Sequence, residues 1–512
     1  MSRNRAAGPH RSPPQSLVRS LPEWPRSPVW WEIPMPMLSE LISGLNLEVL
    51  NFQDLPITGI SYDSRRVKRG EIFIAIKGME YDGYEFLPEV VRKGAVAVVT
   101  ERKVDYDLIQ IITGNPRRTM AELAIRFYHP IIEKITLIGI TGTNGKTTTA
   151  YLLRSILYHR GCGLIGSIEY DIGRGTEKSH HTTPEILDTM KLIEGMVKNG
   201  LRFAVIEVTS HGLKMDRVFG LPFPIRIFTN ISRDHLDFHP DFEDYQNTKL
   251  SFFSGIDSSI TAIINRDDQL GRRIIEETKA RVVTYGLEAG DYTADRIITT
   301  QTGIEFLIRG EGREFPIKVS LLGRHNVYNC LAAFATARTL GIDPEEIEPG
   351  LARLTLVPGR CMPVGNARGL RIYIDFAHTP EALRQVLTSL REFTPGRIIV
   401  VFGCGGDRDK GKRPLMGAVA SELADRVIVT SDNPRREDPI KIIEAIVSGI
   451  KRDNYLIEPD RKEAIRKGIG MLGPDDSLLI AGKGHEEYQI IGTKRIPFND
   501  AKVVQEILSC SP

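Results

Sequence analysis

In the run TGTNGKTTT, Gly142 and Gly145 flank Thr143 and Asn144, and Lys146, Thr147 and Thr148 follow directly. That spacing suits phosphate chemistry. Glycines let backbone amides turn inward around an anion, and the helical stretch AYLLRSILYHR that follows adds its positive end. Lys146 can reach terminal phosphates, and Thr147 can offer its hydroxyl to magnesium. The strict pattern GxxxxGK[ST] is not met, because Ile140 stands where its first Gly belongs. An ordinary glycine-rich strand–helix turn is the plain alternative. The GKT behind the apolar strand ITLIGI favours the nucleotide reading.

Phosphoryl transfer also needs ligands for magnesium and a seat for the adenosine. Glu207 ends the apolar run FAVIEV, where a strand would deliver its carboxylate to the same edge as the loop. The run FTNISRDHLDFH supplies Asn230, Asp234 and His235 after the next strand. Farther on come Asn265, Asp267 and Asp268 in INRDD, and Asn326 and Asn329 in GRHNVYN. Each alone reads equally as a solvated loop residue, and Asn326 as a helix cap. Their recurrence at successive strand ends argues for one site.

These residues need a scaffold that gathers strand ends. Short apolar runs alternate with amphipathic stretches, which predicts an α/β fold with mainly parallel sheets and ligands at the strands' carboxyl ends. Predicted strands are Ile72 to Ile76 and Ala95 to Val99 in a small first unit, and Ile135 to Ile140, Phe203 to Val208, Ile225 to Phe228 and Thr261 to Ile264 in a larger second one. A third unit starts near Pro358, with strands at Ile372 to Ile374, Ile398 to Phe402, Arg426 to Thr430 and Ser477 to Ile480. At 512 residues, a prior of roughly 150 residues per domain also gives three.

The expected boundaries are 1–36 for an extension, then 37–114, 115–355 and 356–512 for the domains. The extension is rich in Pro, Arg and Ser and holds all three tryptophans. A start codon read too early, with Met35 or Met37 as the true start, explains it better than a targeting peptide, since it lacks an amphipathic stripe. It is expected to be disordered.

A net charge of +2 gives no basic footprint for nucleic acid. No stretch approaches the roughly 18 apolar residues of a membrane helix. Cys162, Cys330, Cys361, Cys404 and Cys510 form no CxxC pair, so a reducing cytoplasm is expected and a disulfide framework is not. A reactive thiol at Cys404 is the alternative to a small residue in a tight turn.

TGTNGKTT, EVTSHGLKMDRV, FTNISRDHLDFH, INRDD, GRHNVYN, DFAHTPEAL and FGCGGDRDKGKRP occur here in one order. Together, from about Leu38 to the C-terminus, they resemble the Mur ligases, which build the peptide of bacterial cell-wall precursors, and most of all the diaminopimelate-adding members. The resemblance implies a UDP-binding first domain, a central P-loop ATPase and a Rossmann-like C-terminal domain that brings the amino acid. It implies an ADP-forming amide ligase acting on UDP-MurNAc-L-Ala-D-Glu, with ATP and magnesium, as a cytoplasmic monomer in peptidoglycan synthesis.

Residue by residue, the resemblance puts Tyr62 and Ser64 at the uridine end. Met79, Glu80 and Tyr81 fall at neighbouring contact positions, where they differ in type from the family pattern. His181, Thr182, Thr183, Thr209 and Arg217 fall at the muramoyl dipeptide, with Met215 where a Gln is usual. Asn326 and Arg360 join the ATP contacts. Lys249, which by itself reads as a helix-surface lysine, matches the lysine that the family carbamylates, and would hold magnesium with Thr147, Glu207 and His235. PGRCM departs from the family run at Cys361.

For a diaminopimelate, one end must present an amine and the other carries a zwitterion. A planar guanidinium reads a carboxylate best, and carboxylate and amide oxygens read an ammonium. In DNPRRED and AGKGHEEYQ, Arg435 suits the first task and Asp432, Asn433 and Glu486 the second. Pro434 holds the turn, Arg408 grips the other carboxylate, and backbone near Gly482 closes the pocket. Taken alone, DNPRRED is a polar turn ahead of a helix. The alternatives are a lysine-adding relative, a folylpolyglutamate synthase-like ligase, and a nucleotide-gated binding module without catalysis.

Overall fold

A computed structural model describes residues 35–78 and 81–510. Residues 1–34, and with them most of the proposed extension, lie outside it, as do Met79 and Glu80. The chain is α/β as expected, with three sheets flanked by helices and one small hairpin.

The first sheet has five strands in the order Glu48–Leu50, Ile109–Ile112, Ala97–Thr100, Glu71–Ile74 and Gly59–Ser61, with Glu48–Leu50 antiparallel to its neighbour and the rest parallel. The second has eleven. Its parallel centre runs Cys162–Ile165, Phe203–Glu207, Thr136–Thr141, Ile225–Phe228, Thr261–Asn265, Arg281–Gly286. Antiparallel strands extend both ends, among them Gly303–Gly310 and Arg313–Val319. The third sheet runs Met362–Pro363, Arg371–Asp375, Ser477–Ala481, Ile398–Phe402, Arg426–Val429, Tyr455–Ile457, parallel except at Met362–Pro363.

Unbroken apolar runs such as IIVVF make buried parallel strands because helices cover both faces. Leu383, Leu387 and Met416 line one face of the third sheet, and Ala464, Ile465 and Val504 the other. Helix Pro116–Phe127 joins the first sheet to the second, its Met120 and Leu123 lying in one continuous core with Ile72, Val99 and Leu137.

One local expectation is corrected. The helix after the glycine-rich loop begins at Lys146, not Ala150, and ends at Ile156. Gly145, at φ +86°, turns the chain into it. The β-branched threonines of its first turn are tolerated because Thr147 and Thr149 spend their hydroxyls on Glu207 and Asn329.

Candidate active site

Thr229 and Asn230, just past strand Ile225–Phe228, shape the glycine-rich loop. Asn144 N donates to Asn230 Oδ1 at 2.9 Å, and Asn230 Nδ2 and Thr229 Oγ1 return bonds to the Asn144 carbonyl at 3.1 and 2.7 Å. The fit requires glycine: a Cβ on Gly142 would stand 1.9 Å from Thr229 Oγ1. Thr143 Oγ1 meets the Tyr245 hydroxyl at 3.0 Å. That contact ties the loop to helix Phe242–Leu250, which carries Lys249. Thr148 is buried beneath the loop.

Lys146 Nζ donates to the carbonyls of Gly142 and Thr143 at 2.8 and 2.9 Å, and Lys249 Nζ to that same Gly142 carbonyl at 2.8 Å. Lys249 is 1% exposed, so the helix-surface alternative does not hold. Burial, reinforced by the Lys146 charge, pushes its ammonium well below the usual lysine range. Burial also lowers Lys146, with Glu207 and Asp234 pulling back and Arg360 adding to the drop. Burial of this kind favours the neutral amine over the ammonium.

Glu207 is fully buried and accepts from Thr147 Oγ1 at 2.9 Å and from Ser167 N and Oγ at 2.8 and 3.1 Å. Burial lowers His235 to about 3, which leaves its ring neutral and able to act as a ligand. It stands beside Asp234, at 3.4 Å, rather than on Glu207. Among the described residues no three His, Cys, Asp or Glu side chains gather as a metal cluster. A hydroxyl, one carboxylate and an imidazole, joined by a carbamate were one formed on Lys249, are donors of the kind magnesium would accept, since that ion takes few protein ligands and completes its shell with phosphate and water.

Beside the loop lies a cleft of about 220 Å³, lined by Asn144, Asn230, Asp267, His325, Tyr328 and Asn329 among others. Asn326 is not on this wall. Its Nδ2 donates to Leu322 O at 2.7 Å and its Oδ1 accepts from Asn329 at 2.8 Å, so it supports Asn329. Nor is it a helix cap, since helix His325–Thr339 is capped at Arg324. His325 and Tyr328 went unnoticed in GRHNVYN. Nδ1 of His325 is buried against Gly323 without a hydrogen-bond partner.

On the opposite side, Thr183 Oγ1 donates to the Glu207 carbonyl at 2.7 Å and meets Thr209 Oγ1 at 3.0 Å. Thr182 reaches Ser167 at 3.2 Å, and Arg217 holds Glu185 and the Thr183 carbonyl, each at 3.1 Å. Backbone groups of His181 exchange bonds with the Tyr170 hydroxyl, and Met215 closes helix Ser210–Lys214. From the first sheet, the Tyr62 hydroxyl bonds Asp188. Ser64 is buried and Tyr81 exposed. Glu185 and Asp188, which connect this region, carried no sequence signal of their own.

In the third sheet, three loops after strand ends converge. Arg435, at φ +51°, donates Nη1 to Gly406 O at 2.7 Å and is lowered by burial and by the Arg408 charge. Arg408 stands 3.5 Å from Asp237 of the central unit. Asn433 Nδ2 donates to Glu486 Oε2 at 2.8 Å, while its Oδ1 accepts from Ile490 N and Lys483 Nζ at 2.9 and 3.1 Å. The amide oxygen expected to read a ligand ammonium is therefore committed internally. Asp432 Oδ2 is buried without a hydrogen bond, 4.0 Å from Arg461 Nη1, and a Cβ on Gly482 would meet it at 2.7 Å. Pro434 O packs so close to Gly406 that only glycine fits there. Cys404 is buried with its thiol pushed up to about 12, which closes the reactive-thiol alternative.

The two sites face each other. Arg233 pairs with Asp409 at 2.9 Å, and Asp234 lies 3.5 Å from His378 and 3.8 Å from Lys412. Burial works against the Asp234 charge, but His235, His378 and Lys412 together hold it well below the usual carboxylate range. Arg360, from the start of the third unit, reaches Thr147 Oγ1 at 3.2 Å.

Three family profiles match: "Mur ligase family, catalytic domain" over residues 56–147, "Mur ligase middle domain" over 140–337 and "Mur ligase, glutamate ligase domain" over 359–484. A protein of Caldanaerobacter subterraneus subsp. tengcongensis named UDP-N-acetylmuramoyl-L-alanyl-D-glutamate–2,6-diaminopimelate ligase is 43% identical, over 92% of this chain and 99% of its own length. A Clostridium acetobutylicum protein named as a diaminopimelate ligase of the same kind is also 43% identical, over 92% and 97%. A solved structure with that ligase name superposes at TM-score 0.67 with 32% identity, covering 93% of this chain and 99% of the other. Mycobacterium tuberculosis folylpolyglutamate synthase, at TM-score 0.61 and 19% identity over 77% and 96%, shares the fold alone. With profiles spanning all three sheets and relatives matched along nearly their whole length, the chain belongs to the Mur ligase family.

Proposed function

We propose that this chain is an ATP-dependent ligase joining meso-diaminopimelate to the γ-carboxylate of D-glutamate in UDP-MurNAc-L-Ala-D-Glu. The observation that carries the reading is the facing of two unlike sites. A phosphate loop with the half-buried Lys146 and the buried Lys249 looks across Asp234 and Asp409 toward loops that offer Arg435 and Glu486. The names of the relatives at 43% identity support the same substrates.

In this reading residues 37–114 hold the UDP end, 115–355 bind ATP and 356–512 bring the amino acid. The γ-carboxylate attacks the γ-phosphorus of ATP, the bond to ADP breaks, and an acyl phosphate forms. Lys146 draws off charge as it builds on the transferred phosphoryl group. The amine of diaminopimelate then attacks the acyl carbon, loses its proton and expels phosphate to leave the amide. The pairs across the domain junction hold the two sites together and exclude water, which would hydrolyse the acyl phosphate.

Magnesium, when bound by Thr147, Glu207, His235 and the Lys249 carbamate, neutralises phosphate charge. The carbamate forms when the neutral Lys249 amine adds to carbon dioxide and releases a proton. Arg435 would take the distal carboxylate of diaminopimelate, with Asp432 and Glu486 for its ammonium. Lysine lacks that carboxylate and would leave Arg435 unpaired. The chain acts as a cytoplasmic monomer without nucleic acid or membrane. Among the described residues no helix is long and apolar enough to cross a bilayer.

The test is phosphate release from ATP with UDP-MurNAc-L-Ala-D-Glu, comparing meso-diaminopimelate, L-lysine and no amino acid. Stimulation by diaminopimelate alone is expected. Preference for lysine would overturn the role of Arg435, and stimulation by neither would overturn the ligase reading.

A further inference from the structure

Lys483 is a fully buried ammonium set among the groups that would read an amino acid. Its Nζ donates to Glu486 Oε2 at 2.8 Å and to Asn433 Oδ1 at 3.1 Å, with the Tyr488 ring 6.0 Å away. Gly482 at φ +108° and Gly484 at φ +54° bend the chain on either side and turn this side chain inward. Neither glycine can change freely: a Cβ on Gly484 would stand 2.7 Å from Phe376 and 2.9 Å from the Gly359 carbonyl.

A lysine is an odd neighbour for a carboxylate meant to receive a ligand's ammonium, because it competes for the same oxygens. Its geometry resolves the conflict. Both internal donors, Lys483 Nζ and Asn433 Nδ2, use one oxygen of Glu486, Oε2. Among the described residues nothing donates to Oε1, and the Glu486 side chain is 20% exposed. Arg435 lies within electrostatic range of Glu486, yet no ion pair joins them. Arg435 is tied to Gly406 O through Nη1 only, so without Lys483 its other N–H groups can draw the Glu486 carboxylate toward them. Such a pair would close both halves of the pocket at once. The same ammonium also fixes the Asn433 amide, oxygen toward lysine and nitrogen toward Glu486.

We infer that Lys483 is a positioning residue for substrate selection: it holds Glu486 by one oxygen, away from Arg435, so that Glu486 Oε1 and the Arg435 guanidinium stay separately open for the distal ammonium and carboxylate of the incoming amino acid. The inference rests on the proposed diaminopimelate reading.

The experiment measures kcat/KM of the full chain for meso-diaminopimelate and for 2-aminopimelate, which lacks the distal amine, in wild type, Lys483→Met, Glu486→Gln and the double variant. Wild-type turnover of meso-diaminopimelate comes first, and its absence would sink the substrate reading rather than the role of Lys483. Given that turnover, Lys483→Met should raise KM at least 30-fold for both amino acids, with KM for ATP and the UDP substrate unchanged. Adding Glu486→Gln should restore 2-aminopimelate to within about fivefold of wild type, because the Arg435 clamp is freed, but should not restore the preference for meso-diaminopimelate. A merely structural lysine would show no such rescue. A KM within twofold of wild type in Lys483→Met, or a double variant no better than the single, would overturn the inference. Should Lys483→Met fail to bind the UDP substrate, Lys483→Gln, neutral but able to bond Asn433, takes its place with the same expected outcomes.

Discussion

Lys146 and Lys249, on different helices, donate to one acceptor, the Gly142 carbonyl, each at 2.8 Å. Lys146, half-buried, has a second acceptor in Thr143 O at 2.9 Å, whereas the buried Lys249 has no other hydrogen-bond acceptor among the described residues. The two ammonium charges repel, and burial together with the Lys146 charge pushes Lys249 well below the usual lysine range, the direction that favours its neutral amine. Addition of carbon dioxide, as proposed above, would relieve the conflict by turning the second cation into an anion.

Lys249→Met should therefore abolish turnover yet stabilise the protein in carbon dioxide-free buffer at pH 7. In the wild type the folded-state pKa lies below the unfolded value of roughly 10.4. Between the two the unfolded chain binds a proton that the folded chain does not, so stability rises with pH across that window. The variant loses this slope. Thermal melts between pH 7 and 10 should show a higher Tm for Lys249→Met at pH 7 and a gap that narrows toward pH 10. A lower Tm at pH 7 would mean that the lysine is charged and paired in the fold.

Arg435→Ala should raise KM for diaminopimelate by about 10- to 150-fold, the range expected when a hydrogen bond of about 1.5–3 kcal/mol to a charged group is lost. KM for the UDP substrate should not move. Arg435→Lys should recover little, since an ammonium cannot offer the two parallel bonds of a guanidinium and Nη1 is already turned to Gly406 O. Equal losses for both substrates in steady-state kinetics would argue for a folding defect instead.

Strand ends were the legible part of this chain. Ile225–Phe228 and Ile398–Phe402 fall where apolar runs place them, and Glu207 sits beside the phosphate loop because its strand pairs with Thr136–Thr141. Side-chain direction within a motif was not legible. Asn326 and Asn329 share one run, but only the packing of their helix sends Asn329 to the cleft and Asn326 inward. Ser167, which holds Glu207 from a loop with no motif, and Lys483, masked by the glycines around it, depend on contacts between segments far apart in sequence. Asn433 looked like a ligand contact because amides often are. Of its three internal bonds, the one from Ile490 N follows from the turn of the Tyr488–Ile491 strand against it, and the other two join it to Lys483 and Glu486.

Acid should destabilise this protein before its carboxylates titrate. Burial, the leading cause in each case, lowers His211 and His325 to about 4 and His235 and His485 to about 3. The unfolded chain takes these protons near pH 6.5 and the folded chain refuses them, so the stability they contribute is full above 6.5 and drains as pH falls below it. Half-buried Asp268 and buried Asp375 are raised by desolvation and work the other way, so the fall expected from the histidines is a net effect. Melts at pH 7, 6 and 5 at fixed ionic strength should show a falling Tm, with a shallower fall in His325→Gln. A Tm that is flat from pH 7 to 5 would refute the burial of these rings.

Gly145→Ala isolates the shape of the loop from its charges. The position needs φ +86°, which alanine resists, and the added Cβ would stand 2.4 Å from Asn329 Oδ1. That oxygen also accepts from Thr149, so moving Asn329 disturbs the first turn of the helix behind Lys146 and one wall of the cleft together. Backbone strain in the left-handed region costs about 1–2 kcal/mol before any clash is counted. ATP affinity should drop at least tenfold, read by calorimetric titration of nucleotide, while the 2-aminopimelate and diaminopimelate preferences set in the third sheet stay as in wild type. Unchanged nucleotide affinity would show that the loop opens to accept the methyl group, and that Asn329 does not form the wall assigned to it.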